Sequence, residues 1–488
     1  MKNILIAQIH ALGTQARGVM LETLQTVINE NPEANVYYLT CSNTYNVCYI
    51  NTEKKPEICY LCKQGVKKGL NLIDGKYIHL EIEDLLKEED LIAGKEFISK
   101  QDKINKQVWY KDYEVGEAAV SSYISKTRDK NLINIKDSFA ETLVEYDVSF
   151  YNALDRFFEE ISFSTVYNFN GRHSLQRAVL NICRKHGVEC INKEIARPGG
   201  YLDSFPNVLP HHIYTKVGLI DDAWNNSSES LEEKIKTGSS FFENKVKGVF
   251  TNDKIYTQGQ VNNKLPEEIN YDRKTFVIFT SSDDEFAAVG RDFVNPFFKD
   301  QNEGITYVAK LFANLFPQYN LIIRMHPNLK GVNYDYVDEL RGMGDIADNV
   351  SVIAPESSVD SYALLKIAEK IIVFGSTIGL EASYWGKPVI LLGKSFYFYR
   401  DVAYVPSAKE EIQNLLESEL EPKQKMNAIR FGYYFLKGGE KTKYFHHTNG
   451  EKVSYNGVKL YNMSKKDRAK AKLVKFANDY FNLRLLVK

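Results

Sequence analysis

Between residues 275 and 392 the chain alternates short, unbroken apolar runs with amphipathic stretches, and few architectures accept such a pattern. The runs are Thr275-Phe276-Val277-Ile278-Phe279-Thr280, Asn320-Leu321-Ile322-Ile323-Arg324, Val350-Ser351-Val352-Ile353, Ile371-Ile372-Val373-Phe374 and Pro388-Val389-Ile390-Leu391-Leu392. A strand that is apolar at nearly every position is buried on both faces. It therefore belongs to a parallel sheet with helices on each side. Spacing predicts those helices over about 303–315, 359–369 and 378–385. The first half opens in the same way, with a strand over 3–9, the loop Leu12-Gly13-Thr14-Gln15, a helix over 17–28 and the strand Val36-Tyr37-Tyr38-Leu39. After a polar stretch the order resumes with the strand Thr165-Val166-Tyr167-Asn168-Phe169, a helix over 174–185 and the strand Gly187-Val188-Glu189-Cys190-Ile191.

The reading is α/β, with two Rossmann-like domains. Residues 226–274 are polar and carry few strong strands, which puts the connection near 260–274. The first domain is then 1–265, with insertions over 41–165 and completion by a C-terminal helix over 465–488. The second is 270–440.

Composition narrows the function. The chain has 488 residues, 62 Lys+Arg against 63 Asp+Glu, and a formal net charge of −1. It lacks the basic field of a dedicated nucleic-acid binder. No run reaches the length of a transmembrane helix, and the N-terminal apolar stretch is broken by Gln8 and His10, so it reads as a strand and not a signal peptide. The expected location is the cytoplasm. Six cysteines in 488 residues make no disulfide framework.

Three motifs close strands of the second half. Gly375-Ser376-Thr377-Ile378-Gly379-Leu380-Glu381-Ala382, with Gly386-Lys387-Pro388-Val389-Ile390 behind it, lies between a buried strand and a helix. At that carboxyl edge open α/β sheets bind ligands. Small residues let backbone N–H groups face a phosphate, Ser376 and Thr377 add hydroxyls, and the Glu381 carboxylate suits ribose hydroxyls. An ordinary capped strand–helix turn would read the same way. Arg324-Met325-His326-Pro327 ends another strand, where His326 suits a phosphate; alone it reads equally as a structural loop. Ser281 and Ser282 follow the strand at 275–280. The acidic Asp283-Asp284-Glu285 reads as the capped first turn of the next helix.

Strand–Ser-Ser, strand–His-Pro and S-T-I-G-L-E-A with G-K-P-V-I together resemble the donor domain of GT-B glycosyltransferases of bacterial capsule and lipopolysaccharide biosynthesis, Kdo-transferase-like capsule proteins included. The resemblance covers about 270–405. It implies two domains facing a central cleft and a UDP-, GDP- or CMP-sugar donor held by Ser281, Ser282, Arg324, His326, Ser376, Thr377, Gly379 and Glu381. It implies no catalytic metal and a glycan or lipid-linked oligosaccharide acceptor. The resemblance is weaker in the first half, around Tyr167-Asn168-Phe169-Asn170-Gly171-Arg172, Cys190-Ile191-Asn192-Lys193-Glu194, and Val115-Gly116-Glu117-Ala118 with Ser121, Ser122 and Arg128. Displacement at an anomeric carbon needs a base beside the acceptor hydroxyl. Glu194 is the first candidate, followed by Asp203, His211 and His212. Arg172 suits an anionic group. A surface Glu and a structural Arg are the plain alternatives. A teichoic-acid-type polyol-phosphate transferase using a CDP-linked donor, a nucleotide-sugar epimerase and a non-catalytic glycan-binding scaffold are the competing functions.

Two features stand apart. Cys41, Cys48, Cys59 and Cys62 suggest a structural zinc, although six residues separate the first pair where two to four are usual. Isolated thiols are the alternative. From Lys459 onward there are nine Lys/Arg and two Asp/Glu, on a helical spacing of Ala469, Leu473, Phe476, Ala477 and Tyr480. That helix either crosses back onto the first domain or meets an anionic membrane surface.

Overall fold

The computed structural model describes residues 2–9, 13–41, 48–130, 137–249, 256–448 and 452–481. Leu12 of the first loop, Arg484 and Lys488 lie outside them. The chain forms two compact units, 1–211 with 439–488, and 212–438.

The first unit contains β1 (Asn3–Gln8), β2 (Asn35–Thr40), β3 (Ile78–Glu81), β4 (Thr165–Phe169), β5 (Glu189–Arg197) and β6 (Tyr201–Pro206). Across the sheet they run β3-β2-β1-β4-β5-β6, with β6 antiparallel to β5 and the others parallel. This is the doubly wound order 3-2-1-4-5-6, which reverses between β1 and β4. Residues 41–165, expected as insertions, supply part of this framework. β3 is its third strand, and helix Ser138–Glu160 buries Val144, Val148, Phe150 and Leu154 in the core.

The second unit holds β7 (Thr275–Phe279), β8 (Asn320–Arg324), β9 (Val350–Ile353), β10 (Ala368–Val373) and β11 (Val389–Leu391). The sheet is fully parallel in the order β11-β10-β7-β8-β9, a second 3-2-1-4-5 winding. Its strands read as continuous apolar runs because both faces are covered. Val277 and Phe279 pack into one cluster, Phe276 and Ile278 into the other.

The unit boundary lies at His211/His212, not near 265. Helices Ile213–Asn225 and Leu231–Val246 bury Trp224, Phe241 and Phe242 in the second unit's core, against Phe431 and Tyr433 of helix Lys425–Lys437. The pairing is close. A Cβ on Gly238 would come 2.2 Å from the Ile429 carbonyl, and one on Gly432 would come 2.2 Å from the Gly238 carbonyl. Only glycine permits that approach. Within the polar stretch 226–274, Leu231–Val246 is a packed helix of the second unit and not a linker.

The chain then returns to the first unit with β12 (Glu440–Lys441) beside β6, a small antiparallel sheet of β13 (Phe445–Thr448), β14 (Lys452–Tyr455) and β15 (Val458–Lys459), and helix Lys465–Phe481. Buried Glu22 fastens this return, its carboxylate accepting from the backbone N–H groups of Lys443, Tyr444 and Phe445 at 2.7, 2.9 and 2.7 Å. Among the described residues no helix is long and apolar enough to cross a membrane.

Candidate functional site

In the second unit the winding reverses between β7 and β10, so the loops leaving those strands diverge and open a crevice at the carboxyl edge. Thr280 follows β7, His326 follows β8 and Ser376-Thr377 follow β10. Together with Lys245, Arg324, Tyr362 and Glu381 they line one pocket. Thr280, His326 and Ser376 meet there, although far apart in sequence, because each follows a strand of the same sheet.

The turn after β10 is built by two aromatic and polar braces. Gly375 has φ +142°, a conformation side chains resist, and its carbonyl accepts from Ser395 Oγ at 3.2 Å. Tyr397 Oη donates to the Ser376 carbonyl at 2.7 Å. Gly379, expected to touch the ligand, does not line the pocket. A Cβ there would lie 2.6 Å from Tyr397 Oη, so this glycine is small to admit the brace.

Arg324 is the buried cation of the site, with 1% of its surface exposed. Nη1 donates to the Ala354 carbonyl at 2.5 Å and Nη2 to the Ser357 carbonyl at 3.4 Å. Burial pushes the guanidinium down to about 10, still protonated at neutral pH. Its neighbours are carbonyl dipoles, and no carboxylate is bonded to it in these contacts. Glu356 acts on this charge from a distance while pairing with Arg341, so an anion in the pocket would meet a cation with no directly bonded carboxylate. The His326 imidazole accepts at Nδ1 from the Asn328 N–H at 3.1 Å. That bond puts the proton of the neutral ring on Nε2 and so sets its donor edge. The ring meets Tyr256 edge-on with centroids 4.7 Å apart.

Glu381 is buried and engaged at both oxygens. Oε1 pairs with Lys245 Nζ at 2.9 Å, and Oε2 accepts from Tyr362 Oη at 2.5 Å. A carboxylate carries about four acceptor positions, so sugar hydroxyls can still be accepted. Lys245 was not legible as a site residue. It lies on a helix assigned by sequence to the other domain, and only folding brings it to Glu381. With Lys245, Arg324 and His326 against one carboxylate, the lining favours an anion such as a phosphate.

Ser281 and Ser282 lie behind the pocket rather than on it. The Ser281 N–H donates to Gln301 Oε1 at 2.6 Å, and its hydroxyl is buried without a partner beside Gly375. Ser282 Oγ donates to Asp284 Oδ1 at 2.8 Å and accepts from Asn328 Nδ2 at 3.1 Å. The acidic stretch forms a single 3-10 turn, Asp283–Glu285, and the next α-helix starts only at Gln301.

The first-unit candidates partly converge. Glu194 and Asp203 face each other in the β5–β6 register. Glu194 Oε2 accepts from Asn170 Nδ2 at 2.6 Å and Oε1 from the Ile195 N–H at 2.9 Å. Asn170 Oδ1 in turn accepts from the Arg172 N–H at 3.1 Å, and Arg172 Nη2 donates to Ser125 Oγ at 3.1 Å. So Glu194 of β5 and Arg172 are joined through Asn170 in the turn that follows β4, where Asn170 and Leu175 have φ of +61° and +65°. Asp203 is buried. His211 ends the first unit, and His212 belongs to the second, capping helix Ile213–Asn225 through a bond from the Thr215 N–H at 3.2 Å. Under the same turn, Ser122 Oγ accepts from the Ser174 N–H at 2.8 Å, which is where the Val115-Gly116-Glu117-Ala118 stretch enters. Beside it, buried Asp147 accepts from the Leu175 N–H at 2.5 Å, and burial raises its carboxyl to about 7.

The four cysteines do not gather into a metal site. Among the described residues no three Cys, His, Asp or Glu side chains are placed to share an ion. Cys59 and Cys62 lie on helix Pro56–Leu70, Asn51 Nδ2 donates to Cys59 Sγ at 3.3 Å, and burial pushes the Cys62 thiol up to about 12. Burial likewise pushes the Cys48 and Cys59 thiols up.

Residues 255–434 match the family described as capsule polysaccharide biosynthesis protein. No curated protein matches the chain. Among solved structures, it is similar to the KpsC β-Kdo 2,4 transferase of Thermosulfurimonas dismutans, at 15% identity over 55% of this chain and 78% of that one, TM-score 0.36. The KpsC β-Kdo 2,7 transferase of the same organism is 14% identical over 68% of this chain and 90% of that one, TM-score 0.37. A UDP-GlcNAc 2-epimerase of Neisseria meningitidis, bound to UDP-GlcNAc, is 12% identical over 90% and 95%, TM-score 0.22. At such scores these likenesses carry no weight on activity.

Proposed function

We propose that this chain, whose residues 255–434 match the family described as capsule polysaccharide biosynthesis protein, is a glycosyltransferase that moves a sugar from a nucleotide-activated donor to a growing surface polysaccharide. The observation that carries the reading is the pocket at the switch point of the second sheet, where Lys245, Arg324 and His326 face one carboxylate, Glu381. In this reading His326, Ser376 and Thr377 hold the donor phosphates and Glu381 holds the ribose. The C–O bond from the anomeric carbon to phosphate breaks as the acceptor oxygen attacks. The cations Lys245 and Arg324 and the Nε2–H donor of His326 stabilise the charge that develops on the departing nucleotide, which supports transfer without a catalytic metal. Glu194 takes the acceptor proton, and Arg172, joined to it through Asn170, holds an anionic group of the acceptor. Backside attack inverts the anomeric centre.

The test is release of nucleotide and elongation of a capsule oligosaccharide by the purified chain, with proton NMR of the new linkage. A coupling pattern of inverted configuration supports the reading. Retention, or interconversion of the donor sugar with no acceptor consumed, refutes it.

A further inference from the structure

Helix Lys465–Phe481 carries two apolar stripes, one buried and one largely exposed. Ala471, Val474 and Ala477 are buried, and the helix packs on helix Pro56–Leu70 of the same unit. At 100° per residue, Ala469, Leu473, Phe476 and Tyr480 fall within about 60° of arc on the opposite side. They are exposed, Leu473 by 64%, Phe476 by 51% and Tyr480 by 72%, and the Phe476 and Tyr480 rings lie 4.5 Å apart. Lys466 and Lys470 border this stripe on one side. Lys465, Arg468, Lys472 and Lys475 border it on the other, all exposed. Of the two acidic residues on the helix, Asp467 is bonded to Ser464.

We infer that this outward face docks onto an anionic membrane surface. An apolar stripe with aromatic rings, flanked by lysines on both sides, matches the layering of a lipid interface: rings at the acyl boundary, cations at the headgroups. The charge pattern selects this occupant over a second copy of the chain. Pairing the face with itself would set six cations against six. The helix is held flat by its packed face, so the apolar stripe is presented along its length without refolding.

The test is co-flotation of the full chain with phosphatidylcholine vesicles, with and without about 30% phosphatidylglycerol, across a salt series. Binding to the anionic vesicles alone, weakening with salt, is expected. The quadruple variant Lys466→Gln/Lys470→Gln/Lys472→Gln/Lys475→Gln should lose well over tenfold in partitioning, since each lysine contributes roughly fivefold near such a surface. The triple variant Leu473→Ser/Phe476→Ser/Tyr480→Ser should lose at least about tenfold while its melting curve and nucleotide response stay unchanged. No flotation, equal binding to neutral vesicles, or self-association through this face without lipid binding would overturn the inference. The quadruple variant alters exposed side chains only, so it decides the matter even if the triple variant unfolds.

Discussion

Lys245 Nζ lies 2.9 Å from Glu381 Oε1, an ion pair that joins helix Leu231–Val246 to helix Ile378–Tyr384, the one that follows β10. Both side chains are largely withdrawn from water, with 13% and 6% exposed. A buried carboxylate that loses its cation leaves an uncompensated charge. Lys245→Met is expected to destabilise the second unit by about 1–3 kcal/mol, less than a fully buried pair because Tyr362 still bonds Glu381. It should also weaken nucleotide binding. Chemical denaturation followed by isothermal titration reads both. Unchanged stability together with unchanged affinity would show that the pair is incidental.

His326→Ala should lower donor affinity or turnover by roughly 10- to 100-fold, the size of one charge-assisted hydrogen bond. The fold should survive, because the bond that Nδ1 accepts from the Asn328 N–H is local, two residues on. Kinetics beside a melting curve separate the two effects. Wild-type turnover in the folded variant would remove His326 from the site.

Asp147 predicts a pH dependence. Its folded carboxyl titrates near 7 because burial disfavours the charge, against 3.8 when unfolded. The folded state therefore binds this proton more tightly. Stability from this group is full below about pH 4, falls as pH rises toward 7 and is flat beyond. Asp147→Asn should flatten that slope. Urea midpoints between pH 4 and 8 test it, and a wild-type curve that rises over this window, with the same shape in the variant, would contradict it.

The strands and helices of the second unit were legible because each strand is buried on both faces, as Phe276 and Val277 on opposite sides of β7 illustrate. Much of the site was legible for the same reason, since His326, Ser376 and Thr377 follow directly on apolar strands. Residues 41–130 were not. Helix Glu88–Ser99 fully buries only Asp90 and Gly94, and its Leu91, Phe97 and Ile98 pack on the core while staying partly exposed, a short stripe set among Glu and Lys. The unit boundary and Lys245 were missed together, because both depend on Phe241 and Phe242 packing against a helix nearly 200 residues later. Gly379, Ser281 and Ser282 do not line the pocket for a local reason: the motif identified the turn, but not which of its residues face inward.

Glu22 ties the returning chain to the first unit through three backbone N–H groups. Glu22→Ala would leave three donors unbonded in a buried position. A loss of about 2–4 kcal/mol is expected, with proteolysis newly admitted near residues 439–448. Limited proteolysis and denaturant melts check this. A melt within about 0.5 kcal/mol of wild type would mean the clasp is redundant.

The central claim is that the pocket lined by Lys245, Arg324, His326 and Glu381 holds the nucleotide of a sugar donor. Isothermal titration of the full chain with UDP, GDP, CMP and CDP tests it most directly. The account predicts that one of the four binds with a stoichiometry of about one and that His326→Ala and Glu381→Ala weaken that binding at least about tenfold. No binding by any of the four at millimolar concentration, or binding that both variants leave intact, would contradict it.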